Sequence, residues 1–127
     1  MESIPFEIAN KSGPTQGLVR FETGVLNLEF KAWSWMEFSK KVRTVRVSVR
    51  DLEDVEFKRS LLGACVIVRA RSLSAVDQIP GTRRGEVRLK FARKHREAAR
   101  RLGSSLALFI SEQRLERLHQ QTQWFDS

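Results

Sequence analysis

Residues 85–102, with the sequence GEVRLKFARKHREAARRL, contain the change of pattern that decides the fold. In the first half of this stretch, Val87, Leu89 and Phe91 alternate with charged residues, as in a strand that buries one face. After Ala92 the apolar residues recur at helical spacing, which is typical of an amphipathic helix. The sequence therefore predicts a strand that ends near residue 92 and a helix over about residues 93–121.

The alternation of apolar and polar residues also dominates the chain before this strand. Val45, Val47 and Val49, for example, alternate with polar residues in the segment 43–50. Short segments rich in Gly, Pro, Asn and Ser, such as residues 10–17, separate these runs and predict turns. We therefore expect about seven short antiparallel strands over residues 4–92, arranged as a sandwich or barrel in a single domain over residues 1–127.

The composition limits the class of protein. Apolar residues make up 41% of the 127 residues and charged residues 30%, which fits a globular protein and excludes a fully disordered chain. No apolar run approaches the roughly 20 residues of a membrane span, and the first ten residues lack the basic residues of a secretory signal. Because Cys65 is the single cysteine, an internal disulfide or a metal site built from cysteines is excluded. We therefore expect a cytoplasmic location.

A resemblance to a known superfold rests on residues 43–71, RTVRVSVRDLEDVEFKRSLLGACVIVRAR. This run combines a strand, a short corner at residues 51–56 and a hairpin through Gly63, and it resembles the corresponding run of bacterial PH-like and GRAM-like domains. Residues 85–102 resemble the last strand and the helix entry of these domains, and the likeness covers about residues 18–110. The resemblance implies a partly open barrel of about seven antiparallel strands capped by one long C-terminal helix. It also implies a binding module for lipids, peptides or proteins, with little chemistry of its own.

The first predicted hairpin departs from the pattern of that superfold. Many eukaryotic pleckstrin-homology domains hold phosphoinositides with a cluster of basic residues in this hairpin. The loop at residues 10–17 contains only Lys11, and Glu22 follows Arg20 on the same face of the next strand. This departure argues against specific inositol-phosphate binding in the manner of those domains.

Positive charge is concentrated in the C-terminal half of the chain. Residues 60–127 contain 13 basic and 6 acidic residues, and the formal net charge of the whole chain is +8. Such a surplus favours contact with a polyanion, such as nucleic acid or acidic lipid. The alternative is a solvated face that is balanced by Glu53, Asp54 and Glu56 or by a neighbouring chain. The candidate anion-binding residues are Arg83, Arg84, Arg88, Lys90, Arg93, Lys94, Arg96, Arg100 and Arg101.

Apolar residues outside the predicted core favour a protein interface. If the predicted strand that contains them continues in register, Trp33 and Trp35 share its outward face, whereas a β-bulge near Ser34 would turn one of them inward. Near the C-terminus the core-facing stripe ends at Ile110, so later apolar residues have no domain surface to cover unless the helix folds along the barrel exterior. The candidate interface residues are Trp33, Trp35, Leu115, Leu118, Trp124 and Phe125.

No arrangement of residues in the sequence predicts catalysis. His95 and His119 lie 24 positions apart without ligand spacing, and Cys65 fits a small apolar role on a strand. We therefore expect no enzyme activity, no metal and no cofactor. The predicted function is a non-catalytic interaction module that associates with itself, as a homo-oligomer, or with another protein. The alternative is a binder of anionic surfaces, nucleic acid or acidic lipid, through residues 83–101.

Overall fold

Seven strands and one long helix make up the described part of the chain, residues 2–11, 13–34 and 39–126 of a computed structural model. Short 3-10 turns at Val49–Asp51, Leu73–Ala75 and Arg93–His95 connect some of these elements. The side chains of residues 32–34, 39–40 and 122–126 are outside this description. The elements are β1 (Ile4–Ile8), β2 (Thr15–Glu22), β3 (Val25–Ser34), β4 (Ser39–Ser48), β5 (Leu52–Arg59), β6 (Gly63–Ala70), β7 (Glu86–Ala92) and α1 (Arg96–Asp126).

The strands form one antiparallel sheet in the order β4-β3-β2-β1-β7-β6-β5, with β4 and β5 at its two edges. Together with the C-terminal helix this order has a PH-like topology, and it confirms the predicted mainly β fold class. Within the described chain, β1 and β7 pair at a single position, Glu7 with Lys90. Pro5 of β1 has no backbone N–H to donate to a neighbouring strand, and the two strands separate beyond this pair. A groove opens where they separate.

Buried apolar side chains of the strands and of α1 form the core. Alternate residues of each strand point inward, as with Val87, Leu89 and Phe91 of β7, so the period-two pattern of the sequence is explained by one buried face of the sheet. Leu102 and Leu106 of α1 are fully buried against these residues. Burying a side chain of this size contributes roughly 1.5–3 kcal/mol, so the helix is an integral part of the fold.

Helix α1 is longer than the sequence pattern predicts. The chain leaves β7 through the turn Arg93–His95, and α1 then runs for 31 residues to Asp126, past the predicted end near residue 121. Gly103 lies where α1 approaches β5, because a Cβ atom at this position would be 3.4 Å from the Cβ of Phe57. No helix in the described residues is long and apolar enough to cross a membrane.

Strand β2 begins inside the segment that the sequence predicts as a loop. It starts at Thr15, whereas residues 10–17 were expected to form a turn. Gly17 pairs with Phe30 as part of this strand, and its lack of a side chain allows β3 to pack closely against it. A Cβ atom there would lie 2.1 Å from the backbone oxygen of Glu29. The predicted corner at 51–56 is also shorter than expected, since β5 begins at Leu52.

Candidate functional site

Strands β5, β6 and β7 have an outer face that points away from the core. At one end of this face Arg69 forms ion pairs with three carboxylates. Its guanidinium lies 2.9 Å from the carboxylate of Asp54, 3.2 Å from Glu56 and 3.3 Å from Glu86. Hydrogen bonds from Arg88 and Arg69 lower the pKa of Glu86, and the carboxylates raise the pKa of Arg69. The acidic residues of this region are therefore engaged in an ion-pair network on the outer face.

The same face becomes basic a few residues further along the strands. Lys58 of β5, Cys65 of β6 and Lys90 of β7 are register partners, so one lysine flanks the cysteine on each side. Side chains at such directly opposed positions have their Cβ atoms about 5 Å apart. The row faces the gap between β1 and β7, and Glu7 lies at its far end.

We call this gap the basic groove, an open groove with a volume of about 1080 Å³. Its other wall comes from β1 and β2, including Pro5, Gln16 and Gly17. Glu7 is the one acidic residue among the described residues that line it. The groove therefore carries a strong excess of positive charge. Its basic and imidazole side chains are Lys58, Arg59, Arg88, Lys90, Lys94 and His95.

The floor of the basic groove contains Cys65 and Ile67. Ile67 points away from the core but is fully buried, and its register partners Glu56 and Arg88 lie on either side of it. Burial raises the pKa of the Cys65 thiol, while Arg88, Lys90 and Lys58 act in the opposite direction. The thiol is therefore protonated at neutral pH, which fits the predicted small apolar role rather than a reactive one. Because Arg88, Lys90 and Lys58 lower the pKa of the thiol, these three cations lie close to the sulfur.

The start of α1 adds positive charge beside the groove. Arg96 donates hydrogen bonds to the backbone oxygens of Ser60, at 2.6 Å, and of Gly63, at 3.1 Å, so it holds the turn between β5 and β6. Burial and repulsion from Arg59 and Arg93 lower the pKa of Arg96. The turn begins after a residue without a side-chain acceptor, Ala92, and its first N–H groups therefore lack a side-chain cap. This end of the molecule combines crowded cations with the positive end of a helix dipole.

The predicted basic run divides into groups with different surroundings. Three of its members contact their own chain: Arg96 as described, Arg100 through Glu97, and Arg101 through Glu2 at 3.0 Å. Arg88, Lys90 and Lys94 line the basic groove, whereas Lys58 and Arg59 of the groove were not predicted. The positions of the nine predicted residues are therefore Arg83 and Arg84 before β7, Arg88 and Lys90 on β7, Arg93 and Lys94 in the turn, and Arg96, Arg100 and Arg101 on α1.

The turn before β7 carries Arg83 and Arg84, two further basic residues of the run. Arg83 lines a second hollow of about 770 Å³ together with Lys11, and this hollow shares Arg88 and Lys90 with the basic groove. Arg84 has a left-handed backbone conformation with φ of 52°. The second hollow thus extends the positive surface along β7, although Glu86 also lines it.

The C-terminal part of α1 presents leucines to solvent. Leu108, Leu115 and Leu118 expose 58%, 66% and 59% of their surface. They are spaced by seven and then three residues, which is the heptad spacing of a coiled-coil seam. We call these three residues the outer leucine stripe. It lies on the side of α1 opposite Leu102 and Leu106, which face the core.

Two arginines hold this part of the helix on the sheet. Arg114 donates a hydrogen bond to the backbone oxygen of Glu53, and Arg117 donates one to Arg50 at 3.1 Å. The helix therefore runs along the exterior of the domain at this level, as the alternative interpretation of the sequence allowed, and leucines still face outward. In this part of α1, arginine side chains rather than leucine side chains contact the rest of the domain.

The other predicted interface residues are only partly described. Position 33 pairs regularly with Lys40 in the β3–β4 register, without a bulge up to the pair Ser34 and Ser39. Trp35 lies outside the described residues, as do the side chains of Trp33, Trp124 and Phe125. Their part in an interface stays a prediction.

Two surfaces of the described chain thus combine exposure with a specific chemistry. The basic groove gathers cations from two strands and a turn, and the outer leucine stripe gathers apolar side chains at coiled-coil spacing. Comparisons of the chain with protein-family models, with curated proteins and with solved structures found no match in any of the three.

Proposed function

We propose that the protein is a non-catalytic interaction module of the PH-like superfold that associates with itself through α1. The observation that carries this proposal is the outer leucine stripe, in which Leu108, Leu115 and Leu118 are exposed at heptad spacing. The strand order and the C-terminal helix support the assignment to the superfold. Because this superfold is used mainly for binding, its presence favours an interaction role over catalysis.

A second copy of the chain is the partner that fits the stripe. A two-fold axis brings the same surface of both copies together, so each leucine meets an apolar equivalent. Burial of a leucine contributes roughly 1.5–3 kcal/mol, against an association cost of roughly 4–15 kcal/mol. The leucines of two copies together therefore contribute an amount of the same order as this cost. The predicted additional contacts are those of Trp33, Trp35, Trp124 and Phe125.

The attachment of α1 supports a preformed interface. Arg114 and Arg117 anchor the helix to backbone oxygens, so the stripe is held in position before a partner arrives. A rigid surface loses less conformational entropy on binding than a mobile one. A cytoplasmic location is part of the same proposal and is supported by the free Cys65, which requires no oxidising compartment.

The decisive experiment is light scattering after gel filtration, at low and at high salt. We expect a mass of two or more subunits that persists at high salt, because apolar contacts are not screened. The variant Leu115→Ser removes an exposed apolar side chain from the stripe and should give a monomer. Leu73→Ser is the matched control. Leu73 exposes 64% of its surface, but it lies in the turn Leu73–Ala75 and not on α1. A wild-type monomer under both salt conditions would contradict the proposal.

A further inference from the structure

The cations of the basic groove are only partly neutralised by their own chain. Arg88 lies 2.8 Å from Glu86, and Lys58 lies 3.8 Å from Glu56. Both of these carboxylates also bind Arg69, at 3.3 Å and 3.2 Å. Together with Asp54, these two carboxylates balance Arg69, Arg88 and Lys58. The positive surplus of the groove comes from Arg59, Lys90 and Lys94, which face Glu7 as the one acidic residue of the described lining.

Like charges gather around the basic groove. Lys58 and Lys90 flank Cys65 from the strands on its two sides, and Glu7 is the register partner of Lys90 on the far side. At the adjoining end, burial and, to a lesser extent, repulsion from Arg59 and Arg93 lower the pKa of Arg96. A bound anion would reduce the repulsion among these cations.

The layout of the charges favours a compact anion over a long polymer. A nucleic acid strand or a membrane requires cations spread along a stripe or a flat face. Here Arg96, Arg100 and Arg101, which would extend the basic region along α1, contact their own chain instead. Among the cations that line the groove, Lys58, Lys90 and Arg88 lie close to Cys65.

The groove also has the size and the surface for a small, highly charged ligand. Its volume of about 1080 Å³ is at the upper end of that of small-molecule sites. The floor at Gly63, Ala64 and Cys65 is made of small residues, which leaves room close to the sheet. The rings of Phe6 and Phe91, which border the groove, are buried in the core and offer no face to an aromatic base. Phosphate groups therefore match this surface better than bases do.

We infer that the basic groove binds a compact anion that carries two or more phosphate groups. Lys58 and Lys90 contact one phosphate group above Cys65, and Lys94 contacts another. Lysine is one of the residues that proteins use for such oxyanions. This site is separate from the outer leucine stripe, and it goes beyond the proposed self-association.

Calorimetric titration with inorganic tripolyphosphate tests this inference. At low salt we expect saturable binding, with a Kd about tenfold or more below that for orthophosphate, and weaker binding as the salt concentration rises. The double variant Lys58→Gln/Lys90→Gln should weaken binding about tenfold or more. Its matched control is Lys31→Gln/Arg43→Gln, which removes the same charge from exposed positions on β3 and β4 and should change the Kd less than twofold.

Two further measurements separate the site from folding and from other ligands. The groove variant should change the melting temperature little without ligand, because both replaced side chains are exposed. Leu115→Ser should bind tripolyphosphate like the wild type, so failure of the proposed self-association leaves this test intact. The inference is overturned if tripolyphosphate does not bind, if both double variants lose binding equally, or if only an oligonucleotide or anionic vesicles bind.

Discussion

The two halves of α1 carry similar residues but meet different surroundings. In the first half, residues 96–110, Leu102 and Leu106 are fully buried in the core beside the sheet. In the second half, residues 111–126, the helix contacts the body through Arg117 while Leu115 is turned outward. The difference teaches that the direction of a leucine decides whether it folds the domain or is available to a partner, since Leu108 of the first half also faces outward.

The strongest test of this comparison is the pair Leu102→Ala and Leu115→Ala. Loss of the buried side chain should cost about 2–5 kcal/mol of unfolding free energy, because it leaves a cavity in the core. The same change at the exposed position should stay within about 0.5 kcal/mol in the monomer. Urea denaturation at low protein concentration measures both values. Equal losses in the two variants would show that the second half is also part of the core.

A gain of apolar surface in the second half should act on association alone. Ser111 is exposed and occupies the heptad position between Leu108 and Leu115. The variant Ser111→Leu completes the outer leucine stripe and should tighten self-association about tenfold, equivalent to about 1.4 kcal/mol. Sedimentation or light scattering over a dilution series measures this change. An unchanged dissociation constant would indicate that the stripe is not at the interface.

The smallest expected effect concerns the attachment of the second half. The double variant Arg114→Ala/Arg117→Ala removes two exposed hydrogen bonds to backbone oxygens and should lower the unfolding free energy by less than about 1 kcal/mol. Amide hydrogen exchange should rise in residues 111–126 and stay unchanged in residues 96–110. If exchange rose equally in both halves, the helix would behave as one unit and the comparison would fail.

The elements of this fold follow from local patterns in the sequence. Val87, Leu89 and Phe91 lie on the inner face of β7 as their alternation predicts, and α1 follows at the change of period. Strand β2 was more difficult to predict, because Gly17 is a turn signal in the sequence and a close-packing requirement in the structure. Local composition does not distinguish between these two roles of glycine.

The basic groove depends on information that a linear sequence does not contain. Lys58 and Lys90 are 32 residues apart and come to lie on either side of Cys65 only through the registers of β5, β6 and β7. The dense run at 83–101 drew attention to Arg96 and Arg101, which in the folded chain contact Ser60 and Glu2. The run of basic residues in the sequence therefore indicates the region of the basic groove. The strand register decides which of the cations lie beside Cys65.

The position of β1 in the middle of the sheet has a consequence for synthesis on the ribosome. Strands β1 to β4 are successive neighbours and can pair as they emerge, but the second edge of β1 waits for β7, since Glu7 pairs with Lys90. During that delay β1 is an open edge on which another nascent chain could add a strand. Pro5, which lacks a backbone N–H, makes β1 a poor template for such pairing. Pro5, beside which the basic groove opens in the folded domain, thus also disfavours aggregation of the partly synthesised chain.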